Sequence, residues 1–143
     1  MPKQSPVADE LTKPFWDAAN EGRLVVQSCV ACTERRGLTV LQFPPEPTCI
    51  WCGSSQDLEW FKVSGRGTIQ THAVLHDAAQ KQLQPDQPLN MAVIALEEDP
   101  RCFMLSHLRE TPVDQIPVGA SVEVIFETTP ATGQKVPEWR VVG

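Results

Sequence analysis

Cys29-Val30-Ala31-Cys32 and Cys49-Ile50-Trp51-Cys52-Gly53 are two C-x-x-C pairs separated by sixteen residues. Each pair turns back on itself and presents two sulfurs to one point, so four thiolates at this spacing predict a closed tetrahedral metal site. Zinc is the expected ion, and a structural one, because a full coordination sphere leaves no position for water or substrate. Four thiolates also suit iron, as in a rubredoxin, so the spacing leaves an electron carrier open beside a zinc ribbon. Disulfides fit less well, since no secretory signal precedes the cysteines and their total, five, is odd. A thioredoxin-like redox pair needs one C-x-x-C opening a helix, whereas here there are two.

The flanking sequence reads as strands feeding two knuckles. Residues 23–28 alternate around Leu24 and Val26 and run into the first pair, while residues 38–43 run from it toward the second. Phe43-Pro44-Pro45 ends that second strand, because tandem prolines cannot pair on a ladder. Gly53 suits the sharp backbone after Cys52; Thr33 holds the corresponding place after Cys32 and is expected to be strained there. A ribbon this small has almost no core. Zinc contributes on the order of 10–16 kcal/mol in such modules, so without it residues 23–60 are expected to be disordered.

Residues 1–11 show no apolar period and read as a mobile tail. A short helix follows, with Thr12 as N-cap, Pro14 in the first turn, Phe15, Ala18 and Ala19 on one face and Gly22 at the stop. Past Ser64-Gly65-Arg66-Gly67 the pattern becomes one of short strands. Residues 68–75 place Ile69, Ala73 and Leu75 on one side; residues 91–96, 102–108, 121–126 and 139–142 follow. About five strands with one long loop at residues 77–90 predict a small Greek-key barrel of the OB type. The expected fold is mainly β: a tail and helix over residues 1–22, a rubredoxin-like zinc ribbon over 23–62 and an OB-fold barrel over 63–143.

Thirteen prolines and no tyrosine among 143 residues agree with short elements joined by stiff loops. Net charge is −6 and the basic residues are scattered singly apart from Arg35-Arg36, so nucleic acid, whose binders neutralise phosphates with Lys and Arg, is not an expected partner. Single-strand binding stays as the alternative, since Trp60 and Phe61 could stack bases. The N-terminus lacks a signal-peptide core and the longest apolar run, residues 91–96, is too short for a bilayer, so the expected location is cytoplasmic and no membrane partner is expected.

No catalytic constellation assembles from the sequence. His72 and His76 lie four apart on a strand, where about 13 Å separates them and one ion cannot bind both. His107 has no neighbouring partner in sequence, and Cys102 reads as a small buried hydrophobe. Glu97-Glu98-Asp99 before Pro100 reads as a solvated turn. Arg35, Arg36 and Arg66 are the basic residues next to rigid features, and so the candidates for an anionic ligand.

The order of these parts resembles a known family. Pro14-Phe15-Trp16, Gly22-Arg23-Leu24-Val25-Val26-Gln27, the two knuckles with Phe43-Pro44-Pro45 between them, Ser64-Gly65-Arg66-Gly67-Thr68-Ile69 and Val118-Gly119-x-x-Val122-Glu123-Val124 are similar to the zinc-ribbon plus OB-fold family associated with acyl-CoA enzymes. The chain departs from it at Thr33, where the family commonly has glycine, and in the Gln- and Asp-rich loop at residues 77–90. The resemblance implies an accessory subunit without catalytic side chains. It implies a thiolase-fold partner, whether thiolase, acyl-CoA condensing synthase or side-chain aldolase, with an acyl-CoA enclosed where the two meet.

Overall fold

A computed structural model describes residues 3–81 and 84–142. The N-terminal segment is anchored rather than mobile: Lys3 pairs with Glu138 and, at 4.0 Å, with Glu127, and Ser5 Oγ donates to Thr129 Oγ1 at 2.7 Å. Met1 and Pro2 lie outside the described residues. Thr12 stands at the N-cap of α1 (Lys13–Asn20), but its side chain does not cap the helix. Instead the Asp9 carboxylate accepts from both the amide (2.8 Å) and the hydroxyl (2.9 Å) of Thr12, a local turn that competes with capping. Gly22, with φ of 75°, closes the helix in the left-handed region that favours glycine. Phe15, Ala18 and Ala19 are its buried face.

The ribbon is a three-stranded antiparallel sheet in the order β2-β1-β3: β1 (Val25–Cys29), β2 (Leu41–Gln42) and β3 (Leu58–Lys62). Between β1 and β2 the chain forms α2 (Val30–Arg36), so the long strand expected at residues 38–43 shrinks to two residues. Cys29 is the N-cap of α2, its sulfur accepting from the Cys32 amide; Arg35 and Arg36 occupy the last turn, where cations suit the helix carbonyls. Gly37 takes the left-handed C-cap with φ of 71° and its N–H bonds Thr33 O. Thr33 is therefore helical and unstrained, and its hydroxyl accepts from the Val40 amide at 3.1 Å.

All of β1 is buried, including Gln27, which a half-buried alternation would leave in water. Its Oε1 accepts from Gln42 Nε2 and from the Glu46 amide, both at 2.8 Å, and its Nε2 donates to Glu46 O at 3.0 Å. Gln42 in turn accepts from the Ile50 amide at 2.9 Å and donates to Thr48 O at 3.1 Å. Two buried glutamines thus satisfy the main chain of the proline-rich segment that delivers Cys49.

The second sheet is a near-closed five-strand barrel in the order β6-β5-β4-β7-β8, from β4 (Arg66–Leu75), β5 (Leu89–Leu96), β6 (Phe103–Ser106), β7 (Ser121–Thr128) and β8 (Lys135–Val141). A bulge between Ile69 and Thr71 shifts the register of β4 against β5, which is why Ala73, expected beside Ile69, is exposed. At Gly67 a Cβ would lie 2.6 Å from Ala95 O and 2.8 Å from Ile94 Cγ2, so only glycine lets β4 approach β5 this closely. Strand β8 begins four residues before the expected Trp139, with Pro137 tolerated because β8 is an edge strand. In the loop at residues 77–90, Ala78 is buried and bonds Gln87 and Gln84, while residues 82 and 83 lie outside the described residues. Among the described residues no helix is long and apolar enough to cross a membrane.

Ribbon and barrel share one core. Phe15, Leu24, Val26 and Leu41 pack in the same cluster as Ile69, Ile94, Leu96 and Trp139. In the Glu97-Glu98-Asp99 stretch Glu97 is exposed, but Asp99 is not solvated: it is 2% exposed and accepts from the Leu41 amide at 3.0 Å. The same carboxylate takes the Arg101 amide at 3.2 Å and its Nε at 3.3 Å, while Glu97 and Glu98 bind Ser64 at the ribbon–barrel junction. Replacing Asp99 by Ala strands the buried Leu41 N–H, and hydrogen bonds to a buried charge are worth about 1.5–3 kcal/mol. D99A is expected to lower the urea midpoint by about that energy at an unchanged m value, which equilibrium denaturation of the metal-saturated protein measures.

Candidate metal centre

The four sulfurs of Cys29, Cys32, Cys49 and Cys52 lie within 4.8 Å of one another. Cys29 and Cys52 sulfurs are 3.7 Å apart and those of Cys32 and Cys49 3.8 Å apart. A tetrahedron of sulfurs about 2.3 Å from one ion has edges of about 3.8 Å, so the donor set fits a four-thiolate metal. A disulfide needs sulfurs at about 2.05 Å, and all five cysteines are free thiols. The first pair is held by the turn from β1 into α2, and the second by the turn in which Gly53 N–H bonds Cys49 O at 2.9 Å with φ of 77° at Gly53. The first C-x-x-C thus does open a helix, but its sulfurs converge on the second pair rather than on a redox partner of their own.

Amides and one guanidinium supply positive charge around the sulfurs. The Cys32 amide points at Cys29 Sγ (3.5 Å), the Trp51 amide at Cys49 Sγ (3.4 Å) and Arg35 Nη2 at Cys32 Sγ (3.3 Å). Burial pushes the Cys29 thiol up to about 12 and raises Cys32 as well. The Ser54 amide holds exposed Cys52 down, to about 7. A cation bound here would therefore offset the burial of two thiolates, the usual coupling of metal binding to proton release.

The three arginines singled out from sequence do not converge. Arg35 turns to Cys32; Arg36 stacks over Trp51, 5.3 Å from the ring centroid; Arg66 Nε pairs with Glu97 at 3.2 Å on the barrel. Sequence reasoning missed Arg101, whose guanidinium lies 4.9 Å from the same Trp51 centroid while its Nε holds Asp99. Nothing in the local pattern links residues 50 apart, so only the folded chain reveals this second cation on Trp51. His72 and His76 are exposed and outside any metal-ligating cluster among the described residues. Cys102 is buried, and burial lifts its thiol to about 12, in keeping with a small hydrophobe.

Because Leu24 and Val26 belong to the shared core and Trp60 packs against it, loss of the metal is expected to loosen residues 29–57 rather than all of 23–60. Cys49→Ser should abolish stoichiometric metal retention after dialysis and raise amide exchange across 29–57, with β5 and β7 still protected. Elemental analysis and hydrogen exchange on the same preparation check both.

Residues 60–127 match the protein family described as ChsH2, C-terminal OB-fold domain. Over 109 residues the chain is 31% identical to a probable enoyl-CoA hydratase alpha subunit of Thermomonospora curvata, a match that spans 76% of this chain but only 31% of that protein. It is 26% identical over 98 residues to a DUF35 domain-containing scaffold protein of Methanocaldococcus jannaschii, covering 68% of this chain and 67% of the relative. Among solved structures, a chain of the Ltp2-ChsH2(DUF35) aldolase superposes with a TM-score of 0.75 at 25% identity, over 96% of this chain and 98% of that one. A DUF35 protein of unknown function from Sulfolobus solfataricus shares the fold, with a TM-score of 0.60 at 12% identity over 94% of this chain and 87% of that one. The OB-domain match, the DUF35 scaffold relatives and the ChsH2 likeness over nearly the full chain relate this chain to the DUF35 zinc-ribbon and OB-fold family of acyl-CoA-associated proteins.

Proposed function

We propose that this chain is a non-catalytic accessory subunit that binds and stabilises a thiolase-fold enzyme acting on CoA thioesters. The observation that carries the reading is the likeness to a chain of the Ltp2-ChsH2(DUF35) aldolase over nearly the whole length of both chains. The DUF35 relatives named as scaffolds support the accessory role. The hydratase alpha subunit supports only the acyl-CoA context, because this chain covers 31% of it. Within this reading the ion on Cys29, Cys32, Cys49 and Cys52 is zinc, held for structure, and the working organisation is residues 1–22, 23–62 and 63–143 in the cytoplasm. Of Arg35, Arg36 and Arg66, which lie apart, Arg36 over exposed Trp51 is the cation proposed for the anionic end of a CoA thioester, since Arg35 turns to Cys32 and Arg66 pairs with Glu97.

The test is purification of the chain from its native cell under mild conditions, with identification of whatever accompanies it. A thiolase-fold subunit is expected, soluble and active on an acyl-CoA only with this chain present. A stable monomer that turns over an acyl-CoA alone overturns the proposal. Elemental analysis of the same preparation is expected to give one zinc per chain; a red protein with stoichiometric iron favours an electron carrier instead. A micromolar, steeply salt-dependent mobility shift with single-stranded DNA favours the nucleic-acid alternative.

A further inference from the structure

The barrel is closed along only part of one seam. At one end Ser106 Oγ accepts from the Trp139 amide at 2.9 Å, and Glu138 Oε2 accepts from the Ser106 hydroxyl at 2.8 Å and the His107 amide at 3.0 Å. Toward Phe103 the seam opens into a slot of about 520 Å³ between β6 and β8, walled on the far side by Phe15, Trp16, Phe43 and Pro44.

The two edges of the slot differ in their main-chain chemistry. In an antiparallel ladder alternate residues turn their N–H and C=O toward opposite neighbours. Leu96 N–H bonds Cys102 O at 3.1 Å, so Cys102, Met104 and Ser106 face β5, and the N–H and C=O of Phe103 and Leu105 point away from it. Among the described residues those four groups have no hydrogen-bond partner. On β8 the corresponding edge is blocked: Lys135 N bonds Asn20, Lys135 O bonds Gln134, Pro137 has no N–H, and Trp139 N is held by Ser106. Phe103 and Leu105 are also 44% and 62% exposed, although a bare edge strand usually carries charge or proline to deter pairing.

We infer that β6 accepts an extended, uncharged apolar segment of the partner enzyme as an added strand, paired to the main chain of Phe103 and Leu105. Charge supports this occupant. No side chain lining the slot is charged, in a chain of net charge −6, so an anionic headgroup or a phosphate finds no counter-ion there. Size argues against a second copy: four residues of recessed edge bury far less than the roughly 1,000 Å² a stable dimer needs. An added strand instead gains up to four main-chain bonds plus side-chain contact with the aromatic wall, the pattern of strand-addition recognition. The inference rests on the accessory-subunit reading.

Hydrogen exchange on the chain alone and in the complex recovered from its native cell tests it, with Leu105→Pro as the matched variant. Proline at 105 removes an N–H that β5 does not use, so metal content and melting temperature report whether the fold survives; Phe103→Lys serves if it does not. The expected result is fast exchange at Phe103 and Leu105 in the free chain, at least tenfold protection in the complex, and at least tenfold weaker association of the variant. Unchanged exchange at both amides in an intact complex overturns the inference and leaves the accessory reading standing. Recovery of no thiolase-fold subunit overturns both. Concentration-dependent protection in the chain alone, or protection by palmitoyl-CoA without the partner, assigns the slot to a second copy or an acyl chain and overturns it too.

Discussion

Convergence of two sulfur pairs that are sixteen residues apart is the constraint on which the ribbon depends. The intervening chain must leave β1, form a helix, return beside β1 for two residues, cross a proline-rich segment and arrive with Cys49 opposite Cys32. Each part of that route is set by a specific hydrogen-bond partner: the Cys29 sulfur for the start of α2, left-handed Gly37 for its end, and Gln27 and Gln42 for the segment that follows. A buried amide side chain costs free energy unless its donors and acceptors are met. Here the two glutamines satisfy each other and the main chain together, so they impose one path on the loop between Phe43 and Cys49.

The metal site is not insulated from the barrel. Trp51 follows the third cysteine of the cluster, Cys49, by two residues, and Arg101 from the β5–β6 connection lies over its ring. The same arginine holds Asp99, which accepts the amide of Leu41 in β2. Ribbon strand, buried carboxylate, guanidinium and knuckle tryptophan therefore form one chain of contacts across the junction. A cation–π contact of this exposed kind is worth about 0.5–1 kcal/mol, less than a bond to a buried charge, so orientation of the ribbon is set mainly by Asp99 and the shared core. Trp51, beside Cys49 and Cys52, nonetheless meets the guanidinium that completes the Asp99 network.

Much of this was legible in the sequence because the strongest signals are local or strictly spaced. The C-x-x-C pairs, the stop at Gly22 and the five barrel segments each depend on residues a few positions apart, and the cluster of four cysteines, α1 and the near-closed barrel are present. The failures share a physical cause, in that the deciding partner is distant. Asp99 looked solvated until Leu41, 58 positions away, came to it. The tail looked mobile until Glu138 and Thr129 engaged Lys3 and Ser5. Thr33 reads as strained only if the first pair turns as sharply as the second; Cys29 instead caps a helix, which moves the left-handed position to Gly37. Ala73 was placed on the wrong face because a bulge at Gln70 leaves no mark in the apolar period.

Closure of the barrel shows how topology alone creates a functional opportunity. Five strands joined antiparallel at every neighbour leave the first and last in the order, β6 and β8, running in the same direction. A parallel pair has slanted bonds and needs both edges to offer N–H groups in register. Pro137 removes one of those groups from β8, and the side chains of Asn20 and Gln134 occupy others. The seam can then be sewn only where side chains reach across it, at Ser106 and Glu138, and the rest of β6 is left with main-chain groups pointing into a slot lined by aromatic and proline side chains. The α1 helix, which packs against β8, supplies Phe15 and Trp16 to that wall, so the slot exists only because the N-terminal helix, the ribbon's proline segment and the barrel are assembled as one body.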